Sequence, residues 1–113
     1  MINGRKKSSH NRKNLRPKLY EVWLADMPFE NSKGGKQRPV IVVKEGENYG
    51  VVILTTSPAT STKDFSLMIP EEAGMDFSST VKAGTIHHIT ASKFIHRMGK
   101  LSDYDREELL SRL

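Results

Sequence analysis

The sequence predicts a small, mainly β domain of five or six short strands, arranged as a twisted barrel or two packed sheets and followed by a C-terminal helix. Two apolar runs rich in β-branched residues, PVIVVK at 39–44 and VVILTT at 51–56, are typical of buried strands. Shorter alternating segments surround them, separated by polar connections. A helical pattern follows at residues 101–113. Many short strands with a closing helix indicate a small barrel or a pair of sheets.

The first half of the domain contains the central strands. LYEVWLADM at 19–27 combines aromatic residues with valine and predicts the first strand. PFENSKGGK at 28–36 is a loop, because its Pro, Asn and Gly residues interrupt regular structure. The two apolar runs then form a hairpin with Gly46 and Asn48 in its connection. Since their apolar residues are consecutive rather than alternating, we expect both faces of these strands to be buried.

The second half consists of shorter elements. SPATSTKD at 57–64 is a polar loop, and FSLMIP at 65–70 is a short alternating strand ended by Pro70. STVKAGTIHHITASKFIHRMG at 79–99 predicts one or two further strands. A glycine inside a strand often marks a bulge, so we expect a bulge or bend at Gly84.

The last segment, LSDYDREELLSRL, predicts the helix. Ser102 followed by Asp105 three residues later resembles a capping box, with Asp in place of the usual Glu. Acidic residues cluster in the first turn, where the helix dipole favours negative charge. An apolar side of the helix is predicted from three leucines: Leu109, Leu110 and Leu113.

Length and composition restrict the protein class. A chain of 113 residues accommodates one domain with a modest core. The sequence contains no cysteine, which excludes disulfides and thiolate zinc sites and suits a reducing cytosol. No segment is apolar enough to span a bilayer, and the basic N-terminus lacks the apolar stretch of a signal peptide. We therefore expect a cytoplasmic protein that does not associate with membranes.

The positive charge is concentrated at the N-terminus. Residues 1–18 contain seven Lys and Arg and no acids, which leaves 11 basic and 13 acidic residues in the remainder. Such a segment can neutralise nucleic-acid phosphates without reading base sequence. A solvated tail with no role is the alternative interpretation. We predict a flexible basic arm at 1–18 and a folded domain at 19–113.

Arg38 is the first candidate for a functional site. It precedes Pro39 at the start of a buried strand, and the proline biases it toward an extended backbone. A guanidinium is a planar fork that binds two phosphate oxygens and stays charged at any working pH. By itself the RP pair is a weak signal, and taken alone it favours an ordinary surface arginine.

Hydroxyl groups at a strand end are the second candidate. LTTSP at 54–58 places Thr55, Thr56 and Ser57 directly after an apolar run. Clustered hydroxyls can hydrogen-bond a phosphate or a ribose. Threonine is also an ordinary strand residue, so a purely structural role stays open.

The adjacent histidines in TIHHIT at 85–90 are the third candidate. Neighbouring strand residues point to opposite faces, so His87 and His88 are poorly placed to bind one ion. The sequence contains no HExxH motif and no cysteine ligand, and we expect no metal site. One imidazole could act as an acid or base near neutral pH, or both could be structural.

Taken in order, these segments resemble the MazF/PemK/Kid family of toxin ribonucleases. The similarity includes YEVWLADM, SKGGKQRPVIVV, VVILTTS, SSTVKAGTIHHIT and MGKLSDYDREELLSRL, from about residue 19 to the end. The strongest match is the glycine loop leading into RPVIVV. The resemblance implies an SH3-like barrel of five to seven strands and a homodimer. It also implies cleavage of single-stranded mRNA at short motifs without a metal or cofactor, and neutralisation by a cognate antitoxin. Association with DNA would occur only through the antitoxin complex.

The resemblance also implies roles for individual residues. In such enzymes the arginine before proline and the threonine of the TS segment form the catalytic pair. They correspond here to Arg38 and Thr56, with Thr55 as a near alternative. Arg38 would stabilise the charged transition state as a ribose 2′-hydroxyl attacks the phosphorus, and Thr56 would orient the scissile phosphate. The expected product is a 2′,3′-cyclic phosphate or the 3′-phosphate formed from it.

Two departures from the family pattern affect the site. Relatives often carry a glutamine and then an arginine in a later strand, where this sequence has Thr85 and His87. The acidic residue before the glycine loop is replaced by Ser32 and Lys33. Strand alternation puts Thr85 and His87 on one face, so we expect His87 rather than His88 to transfer protons. The predicted RNA-binding residues are Lys36, Gln37, Thr55, Ser57, Lys63, Thr85 and His88.

Two other functions remain compatible with the sequence. One is a barrel that binds RNA or a protein without cleaving RNA, which the replaced glutamine and arginine would favour. The other is a gyrase-directed toxin of the CcdB type, which shares the architecture but lacks the match to RPVIVV and TTS.

Overall fold

A computed structural model describes residues 15–28 and 35–113. Within these residues the chain forms six strands, a 3-10 turn and one α-helix: β1 Glu21–Pro28, β2 Gly35–Lys44, β3 Asn48–Thr55, β4 Phe65–Ser66, β5 Thr80–Thr90, the turn Ala91–Lys93, β6 Phe94–Lys100 and α1 Asp103–Arg112. The prediction of a mainly β domain with a short C-terminal helix is confirmed.

The strands form a single sheet with the order β4-β5-β3-β2-β1-β6, and the strand pairs are antiparallel. The central hairpin β2–β3 pairs Val40 with Ile53 and Val42 with Val51. This register determines which side chains of the two strands share a face, because successive strand residues alternate between faces.

Both faces of the central strands are buried, as the consecutive apolar residues predict. Val40, Ile41 and Val42 have no exposed surface. Ile41 belongs to a first core, together with Val22, Val52, Leu54, Phe65, Leu67, Ala73, Val81, Ala83, Leu101 and Leu109. Val40 and Val42 belong to a second core on the opposite face, together with Trp23, Ala25, Met27, Tyr49, Val51, Ile89 and Phe94.

The C-terminal helix covers the first core through fewer residues than the sequence predicts. Leu109 is fully buried, whereas Leu110 and Leu113 are 44% and 48% exposed. Leu110 lies about 100° around the helix from Leu109, which turns it away from the sheet. The predicted apolar side of three leucines is therefore wrong for two of them.

Ser102 caps the N-terminus of the helix as predicted, but the carboxylate of Asp105 binds backbone groups of another segment. The Oγ of Ser102 accepts a hydrogen bond from the backbone N–H of Asp105 at 3.1 Å. The buried carboxylate of Asp105 accepts hydrogen bonds from the N–H groups of Met68 and Ile69, at 2.8 and 3.0 Å. Asp105 therefore attaches the helix to the segment after β4.

The edge of the predicted arm packs against the sheet. Pro17 is fully buried and Leu15 contacts the second core. Residues 1–14, which carry most of the predicted basic arm, lie outside the described residues, as do residues 29–34 with Ser32 and Lys33. Across the described residues, no helix has the length and apolar character needed to cross a membrane.

Strand β5 contains the irregularity that the sequence predicts near Gly84. Val51 of β3 is opposite His87, but Ile53 is opposite Lys82. An advance of two residues along β3 therefore corresponds to five residues along β5. The three additional residues of β5 form a bulge that includes Gly84. A Cβ atom at Gly84 would lie 2.8 Å from the Oγ of Ser61, so a glycine allows the close approach of the 57–64 connection.

Candidate active site

A cleft of about 740 Å³ lies on the face of the sheet that carries the second core. Met27, Ile53 and Ile89 contribute apolar surface to it. The lining side chains with nitrogen or oxygen groups are Arg38, Thr55, Ser57, Lys82, Thr85, His87 and His88. This lining is rich in hydrogen-bond donors and cationic groups, which are the groups that bind phosphate.

The β2–β3 register brings Arg38 and Thr55 together. The last observed pair at this end of the hairpin is Val40 with Ile53, and continuing the same antiparallel register by two residues puts Arg38 across from Thr55. Arg38 is also opposite Ala25 of β1, which belongs to the second core. Both side chains therefore lie on the cleft face, on neighbouring strands.

Thr56 lies elsewhere. It follows the last residue of β3, is exposed and does not line the cleft, whereas Thr55 and Ser57 on either side of it do. Alternation along the chain explains this difference, because Thr55 shares a face with Ile53 and the next residue turns away. The Oγ1 of Thr55 accepts a hydrogen bond from the N–H of Ser57 at 3.1 Å. The hydroxyl opposite Arg38 is thus that of Thr55, the alternative left open by the sequence.

The bulge in β5 brings the histidines to the same cleft. His87 is opposite Val51, a residue of the second core, so its side chain lies on the cleft face. Thr85, two residues earlier, also lines the cleft, as strand alternation predicts. His88 lines the cleft as well, although it is adjacent to His87. Within the described ranges 15–28 and 35–113, no three His, Asp or Glu side chains are grouped as a metal would require.

Three predicted RNA-binding residues lie outside the cleft lining. Lys36, Gln37 and Lys63 are exposed. Gln37 alternates with Arg38 along β2 and is opposite Asp26, so it lies on the other face of the strand. The N–H of Lys63 donates to the Oγ of Ser61 at 3.2 Å, within the connection after β3. The structure therefore groups Arg38, Thr55, Ser57, Thr85, His87 and His88, and separates Lys36, Gln37, Thr56 and Lys63 from them.

Lys82 is a cleft residue that the sequence did not predict. Its Nζ lies 2.9 Å from the Oδ2 of Asp64 and donates to the Oγ1 of Thr60. Lys82 and His87 are five residues apart, so a regular strand would place them on opposite faces. The bulge at Gly84 reverses the alternation and puts both on the cleft face. Gly84 indicates a bulge in the sequence, but the face on which Lys82 lies depends on the exact position of that bulge.

Asp64 is buried and ionised next to this lysine. Burial by itself would raise the pKa of its carboxyl group, but hydrogen bonds from Lys82 and from the N–H groups of Thr60 and Gly84, with the charge of Lys82, hold the pKa well below its usual value. The side chain of Asp64 is 1% exposed and that of Lys82 is 26% exposed. The buried carboxylate therefore holds a partly exposed ammonium group at the cleft.

Comparison with known proteins places this fold in a family. A sequence profile of the PemK-like, MazF-like toxins of type II toxin–antitoxin systems matches residues 18–113. A search of curated protein sequences gives no match.

Three solved structures share the fold. An endoribonuclease in complex with its cognate antitoxin from a mycobacterial species has a TM-score of 0.66 and 15% identity, covering 86% of this chain and 90% of its own. A mycobacterial endoribonuclease gives a TM-score of 0.68 at 15% identity, with 88% of each chain covered. The Mycobacterium tuberculosis toxin MazF-mt6 gives 0.65 at 16% identity, with 81% and 90% covered.

The profile match extends over most of the chain, and the similar structures have the same architecture. The chain belongs to the family of PemK-like, MazF-like toxins of type II toxin–antitoxin systems.

Proposed function

We propose that this protein is a toxin endoribonuclease that cleaves single-stranded mRNA through attack of a ribose 2′-hydroxyl, and so inhibits translation and growth. The observation that carries the proposal is that Arg38 of β2 and Thr55 of the neighbouring strand β3 both line one cationic cleft. Membership of the toxin family and the fold shared with mycobacterial endoribonucleases support it.

The reaction needs no group from outside the protein and the RNA. The 2′-oxygen forms a bond to the adjacent phosphorus and loses its proton, while the bond from phosphorus to the 5′-oxygen breaks and that oxygen gains a proton. The products are a 2′,3′-cyclic phosphate and a free 5′-hydroxyl. DNA lacks the nucleophile, so only RNA is cleaved.

Arg38 supplies the main electrostatic contribution. Negative charge develops on the non-bridging oxygens of the five-coordinate phosphorus, and a guanidinium offers two parallel N–H donors to them. One well-placed donor of this kind lowers the barrier by roughly 3 kcal/mol. Because arginine remains protonated in proteins, its role is electrostatic and not proton transfer.

Thr55 and His87 complete the proposed machinery. The hydroxyl of Thr55, opposite Arg38, orients the scissile phosphate in the role first assigned to Thr56. His87 lies on the same face and is placed to take the 2′-hydroxyl proton or to protonate the leaving 5′-oxygen. Ser57, Thr85 and His88 line the cleft as additional RNA contacts.

Several broader properties accompany this proposal. One of the similar structures is a complex with a cognate antitoxin, which supports an antitoxin partner for this chain too. A homodimer, a cytoplasmic location and association with DNA only through the antitoxin complex follow from the family. The division into a basic arm at 1–18 and a toxin domain at 19–113 remains a proposal, with the arm adding sequence-independent affinity for RNA.

The test is cleavage of labelled single-stranded RNA by purified protein in the presence of EDTA. Arg38→Ala should lower the cleavage rate by about 10²–10³-fold. Arg106→Ala is the matched control, because Arg106 lies on α1 and, among the residues described, its ion pairs to Asp103 and Glu107 are 3.6–3.7 Å long and at the surface. Equal cleavage by parent and Arg38→Ala would contradict the assigned site. Binding of RNA by the parent without discrete products ending in a cyclic phosphate or 3′-phosphate would favour a non-catalytic RNA-binding barrel.

A further inference from the structure

We propose that Lys82 is a second phosphate-binding cation of the cleft, held in position by Asp64 and Thr60. The inference rests on the proposed function, because it assigns Lys82 to the RNA of that reaction. Lys82 lies within SSTVKAGTIHHIT, one of the segments similar to the family, but that similarity assigned it no role.

The hydrogen bonds of the ammonium group support this role. A lysine ammonium has three N–H donors. One is directed to the Oδ2 of Asp64 at 2.9 Å and one to the Oγ1 of Thr60, and neither of these residues lines the cleft. Among the residues that the structure describes, the third donor has no hydrogen-bond acceptor, and Lys82 itself lines the cleft. A phosphate oxygen is the acceptor that this cationic lining attracts.

The Asp64 carboxylate positions the ammonium group of Lys82 in addition to neutralising its charge, because backbone hydrogen bonds fix the carboxylate itself. Its Oδ2 also accepts hydrogen bonds from the N–H groups of Thr60 and Ser61 at 3.0 and 3.1 Å, and its Oδ1 accepts one from Gly84 at 3.3 Å. These backbone donors keep the buried carboxylate in one orientation. A lysine side chain is otherwise flexible, so this support reduces the conformational entropy that Lys82 would lose on binding RNA.

The sheet places Lys82 across β3 from Arg38. Lys82 is opposite Ile53 of β3, and Ile53 is opposite Val40 of β2, so Arg38 is offset by two residues and the two backbones are roughly 12 Å apart. Both side chains lie on the cleft face. Arg38 is thus assigned to the scissile phosphate and Lys82 to a neighbouring one.

The experiment measures the affinity of the full chain for a mixed-sequence 2′-O-methyl RNA, which cannot be cleaved, at 50–200 mM salt. Each phosphate contact to a single strand contributes about 0.7 to the slope of log affinity against log salt. Lys82→Met should lower this slope by about 0.7, so that the parent loses about 2.6-fold more affinity than the variant over that salt range. Lys100→Met, which removes an exposed lysine of the edge strand β6, should leave the slope unchanged.

If Lys82 only stabilises the fold and does not contact RNA, its substitution should leave the salt dependence of RNA binding unchanged. A folded Lys82→Met protein with the parental slope would overturn the proposal, while Arg38→Ala would still report on cleavage and therefore on the proposed function. If Lys82→Met does not fold, NMR of the parent with lysines labelled with ¹³C at Cε, which leaves the ammonium groups unchanged, decides. The Lys82 signal should shift when the 2′-O-methyl RNA is added and the Lys100 signal should not, and an unchanged Lys82 signal would refute the proposal.

Discussion

Arg38 of β2 and Thr55 of β3 line the same cleft from neighbouring strands, each two residues beyond the pair of Val40 with Ile53. The hydroxyl that can act together with the guanidinium is therefore that of Thr55, the last residue of β3, and not that of Thr56. Because Thr55 and Thr56 are adjacent and chemically identical, they form a natural pair of test and control positions.

Thr55→Val should lower RNA cleavage by at least tenfold, because it removes the hydroxyl that orients the phosphate while keeping a β-branched side chain of similar size. Thr56→Val should cleave at nearly the parental rate, since Thr56 is exposed and lies outside the cleft lining. The measurement is the single-turnover rate on a labelled oligonucleotide. The opposite order of effects would assign the role to Thr56, as the family similarity first suggested.

His87→Ala should reduce the cleavage rate by about 10²-fold, the usual contribution of a positioned acid or base. His96→Ala is the control, because His96 is exposed on β6 and does not line the cleft. A larger loss in His88→Ala than in His87→Ala would transfer the role to His88.

Asp64→Asn should make the stability of the protein less sensitive to acid. The pKa of the Asp64 carboxyl is depressed in the folded state, so its ionised form stabilises the protein fully above the ordinary pKa of about 4. This contribution is lost progressively as pH falls below that value. The melting temperature of the parent should therefore exceed that of Asp64→Asn at pH 7, and the difference should narrow toward pH 3.

The matched control for that measurement is Asp103→Asn, because the side chain of Asp103 is 95% exposed and its ion pair to Arg106 is 3.7 Å long. Its difference from the parent should be small and nearly independent of pH. A constant gap between the parent and Asp64→Asn from pH 7 to pH 3 would mean that the carboxylate charge does not stabilise the fold.

Much of the architecture was predictable because it depends on local patterns. Consecutive apolar residues from Val40 to Val42 predict burial on both faces, and the structure divides them between two cores. Ser102 and Asp105 predict the start of the helix. The exposure of Leu110 was not predictable in the same way, because the direction in which a short helix packs depends on the sheet beneath it.

The candidate site was predicted in part. Arg38 and His87 could be placed on strands from the sequence alone, and both line the cleft. Gln37 and Lys63 carry suitable groups, but strand alternation and the course of the 57–64 connection place them outside the cleft lining. Lys82 escaped prediction because its face depends on the bulge at Gly84.

By itself, the sequence determined the class of fold, the buried strands, the capped helix and the identity of the arginine at the strand start. These features follow from side-chain periodicity and from residue types that restrict the backbone locally. Only the tertiary structure decided that Thr55 and not Thr56 lines the cleft with Arg38, and that Lys82, held by Asp64, lines it too. The first result depends on the register of β2 and β3, and the second depends on three additional residues in β5. Such pairings between distant segments are set by the packing of the whole sheet.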